Sequence, residues 1–119
     1  MRKIIESFGF AFNGLCFAIS TQRNMKIHLL AAVVVTGAGF YFQISAYEWI
    51  AVSLCFALVI SLEMINTAIE IFADKLHPEK NEQIGKVKDI AAGAVLVAAM
   101  FAVVVAGLVF GKYLLVMLK

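Results

Sequence analysis

Residues 49–74 open with the charge-free run Trp49-Ile-Ala-Val-Ser-Leu-Cys-Phe-Ala-Leu-Val-Ile-Ser-Leu62 and continue without a breaker into Glu63-Met64-Ile65-Asn66-Thr67-Ala68-Ile69-Glu70-Ile71-Phe72-Ala73-Asp74. A helix that crosses a bilayer needs about 20 predominantly apolar residues, and the first part of this stretch begins such a helix. The second part then places acids on it. At helical pitch Glu63, Asn66, Thr67, Glu70 and Asp74 fall within roughly 100° of one another, so a single polar stripe runs down an apolar cylinder. An acidic side chain at mid-membrane costs about 2.5–3.5 kcal/mol on insertion scales, and such residues usually mark a functional site. Glu63 lies about three turns from the end of its helix, too far for a short side chain to reach the interface.

The composition agrees with a lipid solvent. The chain has 119 residues, of which 63% are hydrophobic and 15% charged, with a mean hydropathy of +0.95. A small domain leaves a large share of its surface outside its core, so this much apolar area could not be hidden in water. The length allows one domain, residues 1–119. A net charge of +2 gives no basic footprint for nucleic acid. Cys16 and Cys55 are far apart and read as small buried hydrophobes rather than a disulfide. His28 and His77 have no partner at metal-ligand spacing, which argues against structural zinc. The start, Met1-Arg2-Lys3, is followed by no apolar signal-peptide core.

Working outward, two further apolar segments flank the striped one, giving spans at about 27–45, 48–75 and 87–117. Residues 2–22 differ: Ile4, Phe8, Phe12, Leu15 and Ile19 share one helical face and Arg2, Lys3, Glu6 and Asn13 the other. Phe10 and Phe17 fall outside the stripe. This pattern predicts an amphipathic helix lying in the membrane interface. Arg2, Lys3, Arg23 and Lys26 precede the first span, Lys75, Lys80, Lys86 and Lys88 lie between the second and third, and residues 45–48 carry no basic residue. The positive-inside rule places the N-terminus and the 75–89 loop in the cytoplasm and the C-terminus outside, with Lys112 and Lys119 opposing weakly. Pro78 marks the break between the second and third spans.

The stripe has a chemistry of its own. A carboxylate just inside the lipid boundary can accept a proton from an alcohol that only membranes contain. A second carboxylate nearer the cytoplasm can hold a hard cation such as Mg²⁺, which prefers oxygen ligands. Basic residues in the adjoining loop can receive phosphates. Phosphoryl transfer needs chiefly positioning and charge neutralisation, which these parts supply. No P-loop and no GxGxxG is present. The same stripe also fits interhelical hydrogen bonding, the ion path of a small channel or transporter subunit, or a non-catalytic protein that binds lipid or nucleotide.

Glu63-Met-Ile-Asn66-Thr67-Ala68-Ile69-Glu70 with Asp74 resembles the signature of the small prokaryotic diacylglycerol kinase and undecaprenol kinase family. Ser7-Phe-Gly-Phe10-Ala-Phe-Asn-Gly14, Arg23-Asn24-Met-Lys-Ile-His28-Leu and Lys88-Asp89-Ile-Ala-Ala-Gly-Ala-Val strengthen the likeness, which covers nearly the whole chain. The resemblance implies an all-α bacterial inner-membrane protein, a surface helix plus three transmembrane helices, assembled as a homotrimer. It implies transfer of the γ-phosphate of MgATP to a lipid hydroxyl at the cytoplasmic interface, with diacylglycerol or undecaprenol as acceptor. By position, Glu63 would be the general base and Asn66 would help arrange the site. Glu70 and Gln22 would hold Mg²⁺. Glu79, Lys80, Asn81, Lys88 and Asp89 would line the nucleotide site, and Lys3 and Phe10 would reach it from the surface helix.

Three positions depart from the family's pattern. Gln22 stands where a second metal-binding glutamate is usual, Lys3 where arginine is common, and Asn81 where histidine is common. An amide oxygen can ligate Mg²⁺ but adds no charge, and lysine lacks the bidentate fork of arginine. Oligomerisation also has a physical motive, because three helices alone are not expected to shield an acidic stripe on all sides. Ala91, Ala92, Gly93, Ala94, Ala98 and Ala99 in the third span permit close helix contact.

Overall fold

In the computed structural model, which describes residues 1–119, the acidic stripe lies on the third of four helices. These are α1 (Arg2–Thr21), α2 (Arg23–Phe42), α3 (Ala46–Leu76) and α4 (Glu82–Leu118). All four are long and apolar enough to cross a membrane. Ser45 starts α3 with a capping box: its Oγ accepts the Glu48 backbone N–H at 3.2 Å and Glu48 Oε1 accepts the Ser45 N–H at 2.9 Å, satisfying amides that a helix start leaves open. Glu48 also accepts a 2.7 Å bond from the Tyr113 hydroxyl and lies 3.1 Å from Lys112 Nζ. One carboxylate therefore fastens the start of α3 to the last turns of α4.

The other end of α3 stops at His77, which precedes Pro78 and adopts φ −145° and ψ 88°; a residue before proline is pushed out of the helical region. Asn81 then starts α4, its Oδ1 accepting from the N–H groups of Gln83 at 2.9 Å and Ile84 at 3.1 Å. That cap explains why α4 begins at Glu82, ahead of the expected 87. α2 likewise begins at Arg23 instead of 27, immediately after Gln22. A side-chain cap sets the α4 start, whereas α2 starts at the extended Gln22 break with no side-chain cap.

α2 ends in a Schellman turn. Ile44 N–H bonds the Gly39 carbonyl at 3.1 Å and Gln43 N–H the Phe40 carbonyl at 3.3 Å, with Gln43 in the left-handed region at φ 52°. The Trp49 ring closes over Gly39, where an added Cβ would meet ring atoms at 2.6 and 2.8 Å and Ile44 Cδ1 at 3.2 Å. Gly39→Ala is expected to destabilise the fold by about 1–3 kcal/mol, since the ring must move out of a packed corner. A denaturation midpoint in detergent checks this, and an unchanged midpoint would contradict it. Beside this corner Ile44, Val52, Val109 and Phe110 form the apolar core.

α3 and α4 pair along most of their length, and α2 packs on α3. Elsewhere the surface is apolar: 15 of 119 residues are buried, while Leu58, Phe101, Val103 and Leu108 are among many large exposed side chains. An outer face of this kind is solvated by lipid or by another chain. α1 packs only near its C-terminal end, through Ala18, and residues 1–14 are exposed throughout. Gln22 alone joins α1 to α2, at φ −100° and ψ 117°. Antiparallel helix hairpins use loops of about 2–5 residues, so this single-residue break turns α1 away from α2. Cys16, expected to be buried, is exposed on this outlying helix, and Cys55 is half-buried.

Candidate active site

The stripe grades from dry to wet along α3. Glu63 is 2% exposed, Asn66 and Thr67 are buried, Glu70 is half-buried and Asp74 is exposed. Spacings of three and four residues keep these groups on one side of the helix, and that side faces α2 and α4. Thr67 Oγ1 donates to the Glu63 carbonyl at 2.9 Å. Its hydroxyl is thereby satisfied within the helix, and it serves the backbone. Asn66 Nδ2 donates to Glu70 Oε1 at 3.3 Å. Asn66 Oδ1 is buried and has no hydrogen-bond partner, an arrangement that carries a penalty unless some donor or cation completes it.

A cleft of about 260 Å³ opens beside these residues, lined by Asn24, Ile27 and His28 of α2, Glu63 and Asn66 of α3, and Ala92, Val95, Leu96 and Ala99 of α4. Ala92 and Ala99 make the room, since larger side chains there would close the space next to the carboxylate. His28 Nε2 stands 3.4 Å from Glu63 Oε2. An apolar cavity of about 200 Å³ shares His28 and Ala99 with the cleft, and its remaining lining, including Val52, Phe56, Val59 and Ala102, is hydrophobic. The carboxylate thus lies in a cleft of mixed lining that adjoins an apolar cavity through His28 and Ala99.

One chain suffices to bury Glu63. The expectation that three spans cannot shield the stripe holds only for its wetter half, where Glu70 and Asp74 remain accessible. The reason lies in α2, whose first turns carry His28 and Asn24 to the α3 surface.

The expected nucleotide residues are less gathered. Lys88 Nζ contacts Asp74 Oδ1 at 2.6 Å, bridging α3 and α4 just below the cleft. Asn81 commits its side-chain oxygen to capping α4, leaving only its amide nitrogen for a ligand. Lys3, Phe10, Glu79, Lys80 and Asp89 are exposed, and none of them lines the cleft. Gln22 is half-buried at the α1–α2 break, its Nε2 donating to Thr21 Oγ1 at 3.2 Å, so the amide oxygen is the atom that could meet a cation. No three side chains of the His, Cys, Asp and Glu type converge as a ready-made metal cluster. The donors present still suit Mg²⁺, which keeps several waters and binds through one or two carboxylates plus phosphates. Glu70 would supply the carboxylate, and the orphaned Asn66 oxygen belongs to the side chain that bonds it.

His28 and Asn24 are polar cleft residues to which the sequence pattern assigns no role in the site, although both belong to the run Arg23–Leu29 that carries the family likeness. Their i, i+4 spacing at the start of α2 puts them on one face, and that was the available signal.

Residues 9–110 match the family model described as prokaryotic diacylglycerol kinase, a stretch that contains every candidate residue except Lys3. The chain is 38% identical over 105 residues to a diacylglycerol kinase of Synechocystis, covering 87% of this chain and 60% of that protein. It is 34% identical over 110 residues to the undecaprenol kinase of Bacillus subtilis, covering 92% of this chain and 89% of the relative. A diacylglycerol kinase of Escherichia coli is 26% identical over 102 residues, covering 86% and 84%. The match extends across all four helices and includes the acid-bearing face of α3, and the chain belongs to the prokaryotic diacylglycerol kinase family.

Proposed function

We propose that this protein transfers the γ-phosphate of MgATP to the hydroxyl of a membrane lipid alcohol, diacylglycerol or undecaprenol, at the cytoplasmic face of a bacterial inner membrane. The observation that carries the reading is the Glu63 carboxylate, 2% exposed at the middle of an apolar helix, in a cleft that carries Asn24, His28 and Asn66 and adjoins an apolar cavity through His28 and Ala99. A lipid alcohol has that same division, a hydroxyl head on an apolar tail. An ion path would need polar lining on both sides of Glu63, whereas the cavity beyond His28 is apolar.

In this reading the lipid tail lies against α2, α3 and α4 and its hydroxyl enters the cleft. Glu63 takes the hydroxyl proton as the alcohol oxygen bonds to the γ-phosphorus and the bond from that phosphorus to the β–γ bridging oxygen breaks, releasing ADP. Asn66 holds Glu70 through its amide nitrogen, and its buried oxygen has no partner within the chain. Glu70, with Gln22, would hold Mg²⁺, which neutralises charge on the transferred phosphate. Lys88, released from or shared with Asp74, is placed to meet the phosphates. Lys3, Phe10, Glu79, Lys80, Asn81 and Asp89 would contact the rest of the nucleotide from the exposed side. α1 would lie in the interface, consistent with its departure from the bundle, and a homotrimer would cover the open half of the stripe.

Activity assayed side by side with the two alcohols in mixed micelles tests the proposal. Lipid-dependent ATP consumption with at least one of them is expected, and consumption indifferent to both would overturn it. Gln22→Glu is expected to lower the Mg²⁺ concentration for half-maximal rate on the order of tenfold, because a charged oxygen replaces a neutral one. A Mg²⁺ titration of lipid phosphorylation reads this, and an unchanged or raised requirement would remove Gln22 from the metal site.

A further inference from the structure

His28 has no part in the reaction as just described, yet it is the group placed nearest the proposed base. It comes from the second turn of α2, and its Nε2 lies 3.4 Å from Glu63 Oε2, the two side chains being 19% and 3% exposed. Each of the other ion pairs of the molecule has at least one well-exposed partner, and two of them fasten helices together. Glu48 ties Lys112 and Tyr113 to the α3 start, Lys88 ties Asp74 to α4, and Arg2 pairs with Glu6 within exposed α1. His28 alone contacts an acid inside the cleft, and it lines both the cleft and the apolar cavity.

We propose that His28 is a positioning residue for the lipid-kinase reaction, donating Nε2–H to Glu63 Oε2 and so holding the carboxylate with Oε1 toward the acceptor hydroxyl. The inference rests on the function proposed above. A carboxylate on a flexible stem, placed where a packed apolar wall meets open space, can rotate among several staggered conformers. Only conformers that aim an oxygen at the incoming hydroxyl are productive, and misplacement by about 1 Å can lower a rate on the order of 100-fold. A donor fixed on a neighbouring helix selects one of them. The 3.4 Å separation is long for an N–H···O bond, and contacts of this kind commonly shorten when substrate fills the site. Leucine at this position would pack against α3 equally well and would leave Glu63 unheld.

The test uses the full chain in detergent with three substitutions, His28→Leu, His28→Gln and Glu63→Gln. Nitrogen NMR of the imidazole reports the pair without turnover, and the His28 ring resonances are expected to move in Glu63→Gln. In the kinase assay His28→Leu should lower kcat by about 100-fold with the KM for MgATP unchanged. His28→Gln, whose amide nitrogen can stand in for Nε2, should recover most of the rate. In a Glu63→Gln background His28→Leu should cost nothing further, because the group it positions is gone. Unmoved ring resonances, no recovery by glutamine, or an equal loss in the Glu63→Gln background would each overturn the role. Should the unsubstituted chain phosphorylate no lipid, the kinase reading itself fails and this role falls with it, an outcome told apart by the unsubstituted control.

Discussion

Glu63→Gln is expected to reduce lipid phosphorylation on the order of 10²- to 10⁴-fold, the contribution of a well-placed general base, while leaving the fold as stable as before or more so. The two halves of this expectation have separate causes. Glutamine keeps the size and shape of glutamate and can still bond to His28, so packing at the α2–α3 contact survives. It cannot take a proton from an alcohol. In stability the change is favourable, since a buried carboxylate loses more hydration than a neutral amide. Thr67 bonds the Glu63 backbone carbonyl, not its side chain, and is unaffected. Rate and unfolding midpoint measured on the same preparation separate the effects. A large fall in midpoint would mean that Glu63 holds the helices together, and retained turnover would remove it from the chemistry.

Glu70→Gln is expected to lower activity by about 10²- to 10³-fold and to raise the Mg²⁺ requirement, as removal of one charged stabiliser of the transferring group does in preorganised sites. Glu70 is the carboxylate bonded by Asn66 Nδ2, and glutamine can accept that same bond through its side-chain oxygen. The Asn66 geometry is therefore preserved while the charge is lost. Excess Mg²⁺ should restore part of the rate, and the apparent affinity for the lipid should stay near its original value. A Mg²⁺ titration at saturating lipid measures this. An unaltered Mg²⁺ dependence would place the cation elsewhere on the stripe.

Most of the helical framework could be read directly, because charges on an apolar helix betray their own spacing. Glu63, Asn66, Glu70 and Asp74 shared a face on the page as they do in the structure, where they run from buried to exposed. Helix starts were less legible from hydropathy. α4 and α2 begin before the apolar runs do, α4 because the Asn81 cap acts on backbone amides and not on hydrophobicity, α2 directly after the extended residue Gln22. The partner of Glu63 could not be read. His28 lies on another helix, and its approach depends on how α2 rotates against α3, a tertiary quantity that no local pattern contains. Cys16 departs from expectation for a related reason: an apolar neighbourhood in sequence does not ensure burial, and α1 leaves the bundle and exposes it. The capping bond of Asn81 was likewise illegible from hydropathy, since its oxygen acts on the backbone amides of Gln83 and Ile84.

The claim on which the account depends is that the acids of α3 stay in the bilayer to perform phosphoryl transfer at its inner boundary. The most direct measurement is the appearance of label on lipid when protein reconstituted in vesicles containing diacylglycerol or undecaprenol receives Mg²⁺ and ATP labelled at the γ-phosphate. Labelled lipid phosphate is expected from the unsubstituted chain and almost none from Glu63→Gln. Vesicles that yield no labelled lipid with either alcohol, or that yield equal amounts from both proteins, would contradict it.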